Sequence, residues 1–316
     1  MTPTGRRLMI GAREDDDAAV WKADRGAVVA TVDSMVEGID FRLEWPGLTF
    51  RLLGRRLMSV NLSDLAAMGA DPGHALISLC LPGSLALRDV TDLYRGISER
   101  ARQYGCTVAG GDLSGTDGPM VLTAALYGTL PTGRRPLRRS GARAGWALGV
   151  TGVLGRAAAG LGLLLAGKSP RTAAERRWVR SQYDPSPRVG AGQTLAESGI
   201  RVGGDISDGL YREIERIAGP AGLGATIEAD QMPLDRDLRR DRDHAWAGGL
   251  MESEDYELVC AAPRAVLDAA QRRLWRTERL TLTIIGTLTP EKGIRIRVDG
   301  RLVSIPSLGA GYDHFR

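Results

Sequence analysis

Hydrophobic and polar positions along this chain follow two periods in turn. Ala27 to Val36 (Ala-Val-Val-Ala-Thr-Val-Asp-Ser-Met-Val) is a β-branched run and predicts a strand. Leu52, Leu53, Leu57, Val60, Leu65 and Met68 fall at helical spacing, which predicts about five turns of helix ending near Gly69. His74 to Leu81 predicts another strand, stopped by Pro82-Gly83. Val90, Leu93, Tyr94, Ile97, Ala101 and Tyr104 make an amphipathic face closed by Gly105, and strands are expected over 106–109 and 120–130. Pro131 to Gly145 is rich in Pro, Gly and Arg, so the division of the chain is placed there, giving units 1–138 and 139–316. The second unit restarts with a strand at 146–151 and a helix at 154–166, followed by a polar, Arg-rich segment. Helices are expected near 189–198 and after Gly209, and strands at 225–228, 256–261 and 282–288. Ile294 to Ile305 predicts a hairpin turning at Asp299-Gly300, a pair suited to the primed turn. The pattern is α/β throughout, in two units of similar size.

Composition narrows this picture without changing it. With 316 residues, 43% hydrophobic and 25% charged, the chain is long enough for two domains and too apolar to be disordered. No run of about 18 apolar residues is present, and only three apolar residues follow Arg6-Arg7, too few for a signal-peptide core. A cytoplasmic protein with no membrane span is expected. Cys80, Cys106 and Cys260 are odd in number and lie far apart in apolar stretches, the pattern of buried free thiols in a reducing compartment. The net charge of +4 rests almost wholly on arginines scattered along the chain, with lysine only at 22, 168 and 292. A basic face for nucleic acid is not expected.

Gly162 to Ser169 (Gly-Leu-Leu-Leu-Ala-Gly-Lys-Ser) matches the phosphate-binding P-loop pattern. The physics opposes that reading: the preceding residues are helical, the variable positions are apolar, and Pro170 blocks a helix from starting at Lys-Ser. The segment reads as the end of a buried helix with a glycine stop.

The stronger signal is acidic. Asp16, Asp17, Asp33, Asp64, Asp112, Asp205 and Asp208 stand at strand ends or in glycine turns, where a lone aspartate is also an ordinary turn or cap residue. Asp33 and Asp64 interrupt stretches otherwise built for burial, and a buried carboxylate must be paired or bind a metal. Without a Cys/His cluster, an oxygen-only set selects a hard cation such as magnesium, a platform for the phosphates of a nucleoside triphosphate. Gly110-Gly111-Asp112 would let backbone amides approach phosphate oxygens, and Arg139 would neutralise charge on a transferred group.

Read in order, these segments resemble the thiamine-monophosphate kinases of the PurM-like ATP-binding superfamily. The similarity runs from Asp16-Asp17-Ala-Ala-Val through Asp33-Ser-Met-Val-Glu-Gly-Ile-Asp40-Phe, Asn61-Leu-Ser-Asp64-Leu-Ala-Ala-Met-Gly-Ala and Gly110-Gly111-Asp112. It continues through Arg139-Ser-Gly-Ala, Asp184-Pro-Ser-Pro-Arg188, Asp205-Ile-Ser-Asp208-Gly-Leu and Glu254-Asp-Tyr-Glu-Leu to Gly311-Tyr312-Asp-His-Phe. The resemblance implies a two-domain α/β (α+β) PurM-like fold, a homodimer made through the N-terminal domains, and ATP in the cleft. It implies that Asp16, Asp33, Asp64, Asp112, Asp205 and Asp208 hold several magnesium ions. Thr31, Tyr94, Gly111, Asp112, Arg139 and Ser207 would contact nucleotide, and Asp33, Asp64, Asp112 and Arg139 would form the catalytic set. Asp40, Glu254 and Tyr312 would face the acceptor.

The family's reaction moves the γ-phosphoryl of ATP onto the phosphate of thiamine monophosphate. An acceptor phosphate with its second pKa near 6 is already a nucleophile at neutral pH, so His74, His244 and His314 are not needed as bases. The acceptor side departs from the family: Asp40 replaces a usual His, Ser253 a usual Gly before Glu254, and Trp146 a usual Asp. Asp15 stands for a Gly before the first acidic pair, and Val32 for a hydroxyl residue. A carboxylate in place of an imidazole repels an anionic acceptor unless another cation compensates. A paralogue that phosphorylates a different small molecule, or activates a carboxylate for ligation, therefore stays open on the residues alone.

Overall fold

The computed structural model describes residues 8–10, 16–23, 26–241, 245–251 and 254–303. The first unit contains β1 (Leu8–Ile10), β2 (Ala19–Lys22), β3 (Ala27–Val36), α1 (Phe50–Ala67), β4 (Asp71–Pro82), α2 (Leu87–Gln103), β5 (Thr107–Thr116) and β6 (Val121–Leu130). The second opens with β7 (Ala147–Thr151), α3 (Arg156–Leu165), α4 (Ala173–Tyr183), α5 (Val189–Glu197), β8 (Val202–Asp205), α6 (Leu210–Ala218) and β9 (Gly224–Glu228). It closes with α7 (Arg236–Asp241), α8 (Ala245–Met251), β10 (Leu258–Ala262), α9 (Arg264–Glu278), β11 (Leu282–Thr289), β12 (Gly293–Val298) and β13 (Arg301–Val303). The architecture is two α/β units, each built on one sheet, as the alternating periods imply.

The first sheet runs β1-β2-β3-β6-β4-β5, antiparallel except for the β4/β5 pair. Its inner face carries Val29 and Met35, Ala75, Ile77 and Leu79, and Leu122, Ala124 and Leu126, all buried against α1. A buried leucine or isoleucine here contributes about 2 kcal/mol relative to exposure. The opposite face is uncovered: Val32 is 61% exposed and Leu76 43%. Register places Asp33, Ala124, Ile77 and Gly111 in one row across four strands.

Helix α1 is buried nearly all round from Leu53 to Ala67, because α2, the sheet, β8 and α5 pack against it. Gly54 makes the contact with α2 possible, since a Cβ there would fall on the Leu93 carbonyl oxygen. The polar residues of α1 are thus forced inside and must find partners there. This requirement builds the site.

The second sheet runs β13-β12-β9-β11-β7-β10-β8, antiparallel except for β9/β12. Asp299 and Gly300 turn the final hairpin at φ of 48° and 74°, the left-handed pair expected of an Asp-Gly turn. One apolar core is shared by both units, joining Leu57 and Leu65 to Leu195, Leu274 and Leu282. A second, with Val150, Ile214, Ile227 and Ile285, belongs to the second unit alone. Cys106 and Cys260 are buried free thiols, pushed up to about 11 and about 12 by burial, whereas Cys80 is half-buried on the uncovered face. Among the described residues no helix is long and apolar enough to cross a membrane.

Several elements differ from expectation. Gly110-Gly111-Asp112 is not a turn but the middle of the ten-residue strand β5. Gly111 is glycine because a Cβ would fall on the Ile77 carbonyl oxygen where β4 and β5 shift register. The polar Arg-rich segment contains α4, started by a capping box in which Thr172 and Glu175 satisfy each other's backbone N–H groups. The P-loop-like stretch is the C-terminal end of α3, with Gly167 at φ 64°.

Candidate active site

Carboxylates from both units converge. Asp17 precedes β2, Asp64 lies on α1 and Asp205 ends β8, and one oxygen of each lies within 4.8 Å of the others. The buried polar residues of α1 and their neighbours hold this group in place. Thr31 Oγ1 donates to Asp64, Asn61 Oδ1 accepts the Asp33 backbone N–H at 3.0 Å, and Ser63 Oγ donates to Asp205 Oδ2 at 2.6 Å. Asn61 is itself oriented by its amide, which donates to the Leu57 carbonyl at 3.0 Å. Asp17 is held by Arg139, whose Nε and second nitrogen also donate to the Glu213 oxygens at 2.7 and 2.9 Å.

The cluster is electrostatically strained. Burial and the neighbouring Glu213 push Asp17 well above the usual carboxylate range, and burial with Asp33 does the same to Asp64. Burial and then Asp205 raise Asp33 to about 6. Burial also raises Asp205, although Ser63 and Arg139 oppose it. Asp17 Oδ2 is buried and accepts no hydrogen bond. Close oxygen ligands, an unsatisfied buried acceptor and mutual repulsion together fit a hard divalent cation of the magnesium type.

These acids stand at one end of a cavity of about 720 Å³. Asp33, Asp64, Asp205, Ser207 and Asp208 line that end, while Ile39, Trp45, Leu161 and Leu165 form an apolar wall elsewhere. Asp40 lines it too, with its carboxylate tied back to the Val36 N–H at 2.7 Å. Glu254 is clamped by Arg56 at 3.0 Å and by the Gln182 amide at 2.8 Å. Consecutive residues after it face different ways because Tyr256 adopts φ 51°. Asp255 accepts the Gly155 and Ala157 N–H groups at the start of α3, and Glu257 takes Thr151 and Arg188 inside the second unit.

The sequence-derived assignments are redistributed by this geometry. Among the described residues the three-acid group contains Asp17 where Asp16 was expected; Asp16 instead accepts the Arg139 backbone N–H at 2.5 Å. Arg139 captures both, Asp16 through its backbone N–H and Asp17 through its guanidinium. Arg139 is 6% exposed and saturated by Asp17 and Glu213, so its guanidinium organises the cluster rather than reaching toward a transferred group. Thr31 is engaged with Asp64. Asp208 is in the cavity and pairs with Arg216 at 3.1 Å.

Asp112 is not brought to the cluster: it is exposed on edge strand β5, where Ser114 donates to it at 2.9 Å. With Tyr94 and Gly111 it lines a separate cavity of about 440 Å³. Tyr312 lies outside the described residues, as do His244 and His314. Sequence reasoning missed Glu213, Arg56 and Gln182; their only signal was charge or amide on faces otherwise apolar. Lys168 is exposed beyond α3. Lys168→Ala should leave ATP affinity within about two-fold by calorimetry, and a loss of binding would restore the P-loop reading.

Comparison with known proteins agrees with this layout. Residues 15–130 match the family described as AIR synthase related protein, N-terminal domain, and residues 146–299 match its C-terminal domain. Thiamine-monophosphate kinase of Synechococcus elongatus is 34% identical over 95% of this chain and 90% of its own. The solved structure of thiamine-monophosphate kinase from Stenotrophomonas maltophilia is 31% identical, with a TM-score of 0.79 over 94% of this chain and 93% of its own. A structure described as AaThiL complexed with AMPPCP and TMP superposes with a TM-score of 0.82 at 29% identity, over 95% of this chain and 91% of its own. Two matched domains, end-to-end similarity and an acidic cluster drawn from both units lead to one assignment: the chain belongs to the AIR synthase related family and, within it, to the thiamine-monophosphate kinases.

Proposed function

We propose that the chain is an ATP- and magnesium-dependent kinase that transfers the γ-phosphoryl of ATP to the phosphate of thiamine monophosphate, releasing thiamine diphosphate and ADP. The observation that carries this reading is a single cavity with Asp17, Asp64 and Asp205 converging beside one end and apolar side chains lining another part. Asp17, Asp33, Asp64, Asp205 and Asp208 would hold the metal. Bound there, a divalent cation would gather phosphate oxygens and offset the repulsion between two anions.

The chain's own part is positioning. Thr31, Asn61 and Ser63 orient Asp64, Asp33 and Asp205, while Arg139 and Glu213 fix Asp17. Trp45, Leu161 and Leu165 offer the acceptor's ring system a dry surface, and Glu254 faces it from its clamp. No side chain acts as a base, because the acceptor phosphate is already ionised. We assign the cavity lined by Tyr94, Gly111 and Asp112 to the nucleotide. Gly111 lies in the same cross-strand row as Asp33, three strands away, about 14 Å, and its exposed backbone lines that cavity. The uncovered sheet face, with Val32 and Leu76 exposed, is where two copies would pair as a homodimer.

The names of the relatives favour thiamine monophosphate over another acceptor. The test is ADP release across a panel of phosphate and carboxylate acceptors, with melting temperature followed in parallel. Turnover specific to thiamine monophosphate, and stabilisation by ATP with magnesium that EDTA abolishes, are expected. Turnover of a different acceptor would indicate the paralogue, and absence of any shift at millimolar ATP would overturn both enzyme readings.

A further inference from the structure

We propose that Arg42 is the specificity-determining cation of the acceptor cavity, the group that admits a phosphate ester past Asp40 and Glu254. This rests on the kinase reading above. The cavity is lined by six carboxylates, Asp33, Asp40, Asp64, Asp205, Asp208 and Glu254, against two arginines, Arg42 and Arg56. Such a wall favours a cation and opposes an anionic acceptor, even with a metal among the carboxylates at one end.

Arg56 cannot supply the missing charge. It is 4% exposed, one nitrogen donates to the Gln182 carbonyl, and another donates to Glu254 at 3.0 Å. Its charge is spent holding Glu254. Arg42 differs in both respects: it is exposed, and among the described residues its guanidinium makes no ion pair or hydrogen bond.

Its backbone is nevertheless well placed. Phe41, 1% exposed, plugs into the core on one side, and the Arg42 carbonyl accepts the N–H of buried Trp45 at 3.1 Å on the other. The Gly38 N–H donates to the Phe41 carbonyl at 2.7 Å, which closes the loop that also carries Asp40. A free guanidinium on an anchored backbone, two residues from the carboxylate that needs offsetting, suits bidentate capture of a phosphate. Ile39 and Leu165, 54% and 59% exposed, line the same cavity and offer the apolar contact for a ring. The ligand class is therefore a small phosphate monoester carrying a flat ring.

The experiment uses the full chain with Arg42→Gln, Arg42→Lys, Asp40→Asn and the Arg42→Gln/Asp40→Asn double variant. Binding of thiamine monophosphate and of unphosphorylated thiamine is measured by calorimetry, beside turnover. Wild type should prefer the phosphate ester, and Arg42→Gln should weaken its binding and raise its KM about ten-fold. The KM for ATP should stay within two-fold, Arg42→Lys should recover most of the loss, and the double variant should return toward wild type. Equal wild-type affinity for the two thiamine forms, or an Arg42→Gln affinity within two-fold of wild type, overturns the proposal whether or not phosphate is transferred. Failure of the kinase reading shows separately, as wild type that binds the ester without releasing ADP.

Discussion

Asp64→Asn abolishes turnover and leaves the protein at least as stable as before. The carboxylate lies on α1, the helix that both units pack against, so it is not free to move aside. Asparagine keeps its shape and an oxygen to accept the Thr31 hydroxyl. What disappears is one negative charge from the group formed with Asp17 and Asp205. Loss of a group that anchors transition-state charge costs on the order of 10³-fold in kcat. Stability moves the other way, because burial and the charges of Asp33 and Asp205 already hold the Asp64 acid well above its ordinary range. The melting temperature in EDTA should therefore hold or rise, and magnesium should no longer raise it. Measured kcat within ten-fold of wild type would remove Asp64 from the metal site.

Metal-free protein loses stability as pH rises from about 4 to about 6. Asp33 titrates near 3.8 when unfolded and at about 6 when folded, raised first by burial and then by Asp205. Between those values the folded state binds the additional proton, so stability is greatest below the window and declines through it. At about 1.4 kcal/mol per unit, Asp33 alone accounts for up to about 3 kcal/mol. Asp17, Asp64, Asp205 and Glu213 shift in the same direction and add to the slope. Asp235 does not oppose it: although buried, it is bound by Arg177 and Arg156, held below the usual range, and stays ionised throughout. Calorimetric melting in EDTA should show the decline, and magnesium should reverse it near pH 7 but not near pH 4. A flat or rising profile in EDTA would contradict the clustering of these acids.

Local periodicity carried much of this structure into the sequence. Ala27 to Val36 and the Leu52 to Met68 face reappear as β3 and α1 because each has one buried face and a clear stop. Strand β5 was legible only in part, since Gly111 is explained by the neighbouring Ile77 backbone and not by a turn. Helix α4 reads only as a polar, Arg-rich segment despite the Thr172-x-x-Glu175 box that starts it, because its apolar stripe is thin, with Trp178 and Val179 the main buried contacts. Helix α9 likewise hides Leu267, Ala270 and Leu274 among exposed arginines. The aspartates were visible as a set, yet which of Asp16 and Asp17 turns inward depends on Arg139, more than a hundred residues away. Glu213 could not be read at all, because its carboxylate fills space left open by the missing Cβ of Gly204. Such pairings are long-range packing decisions, and no period along the chain records them.

The division of the acidic group between the two halves bears on how such a protein can be recombined. Crossing the front half of one relative with the back half of another would respect every loop and still have to reproduce oxygens within 4.8 Å across the junction. The shared apolar core around α1 imposes the same demand on side-chain volume. Viable hybrids should therefore be rare unless α1, β8 and α6 are inherited together, and substitutions in these three segments should travel as a block.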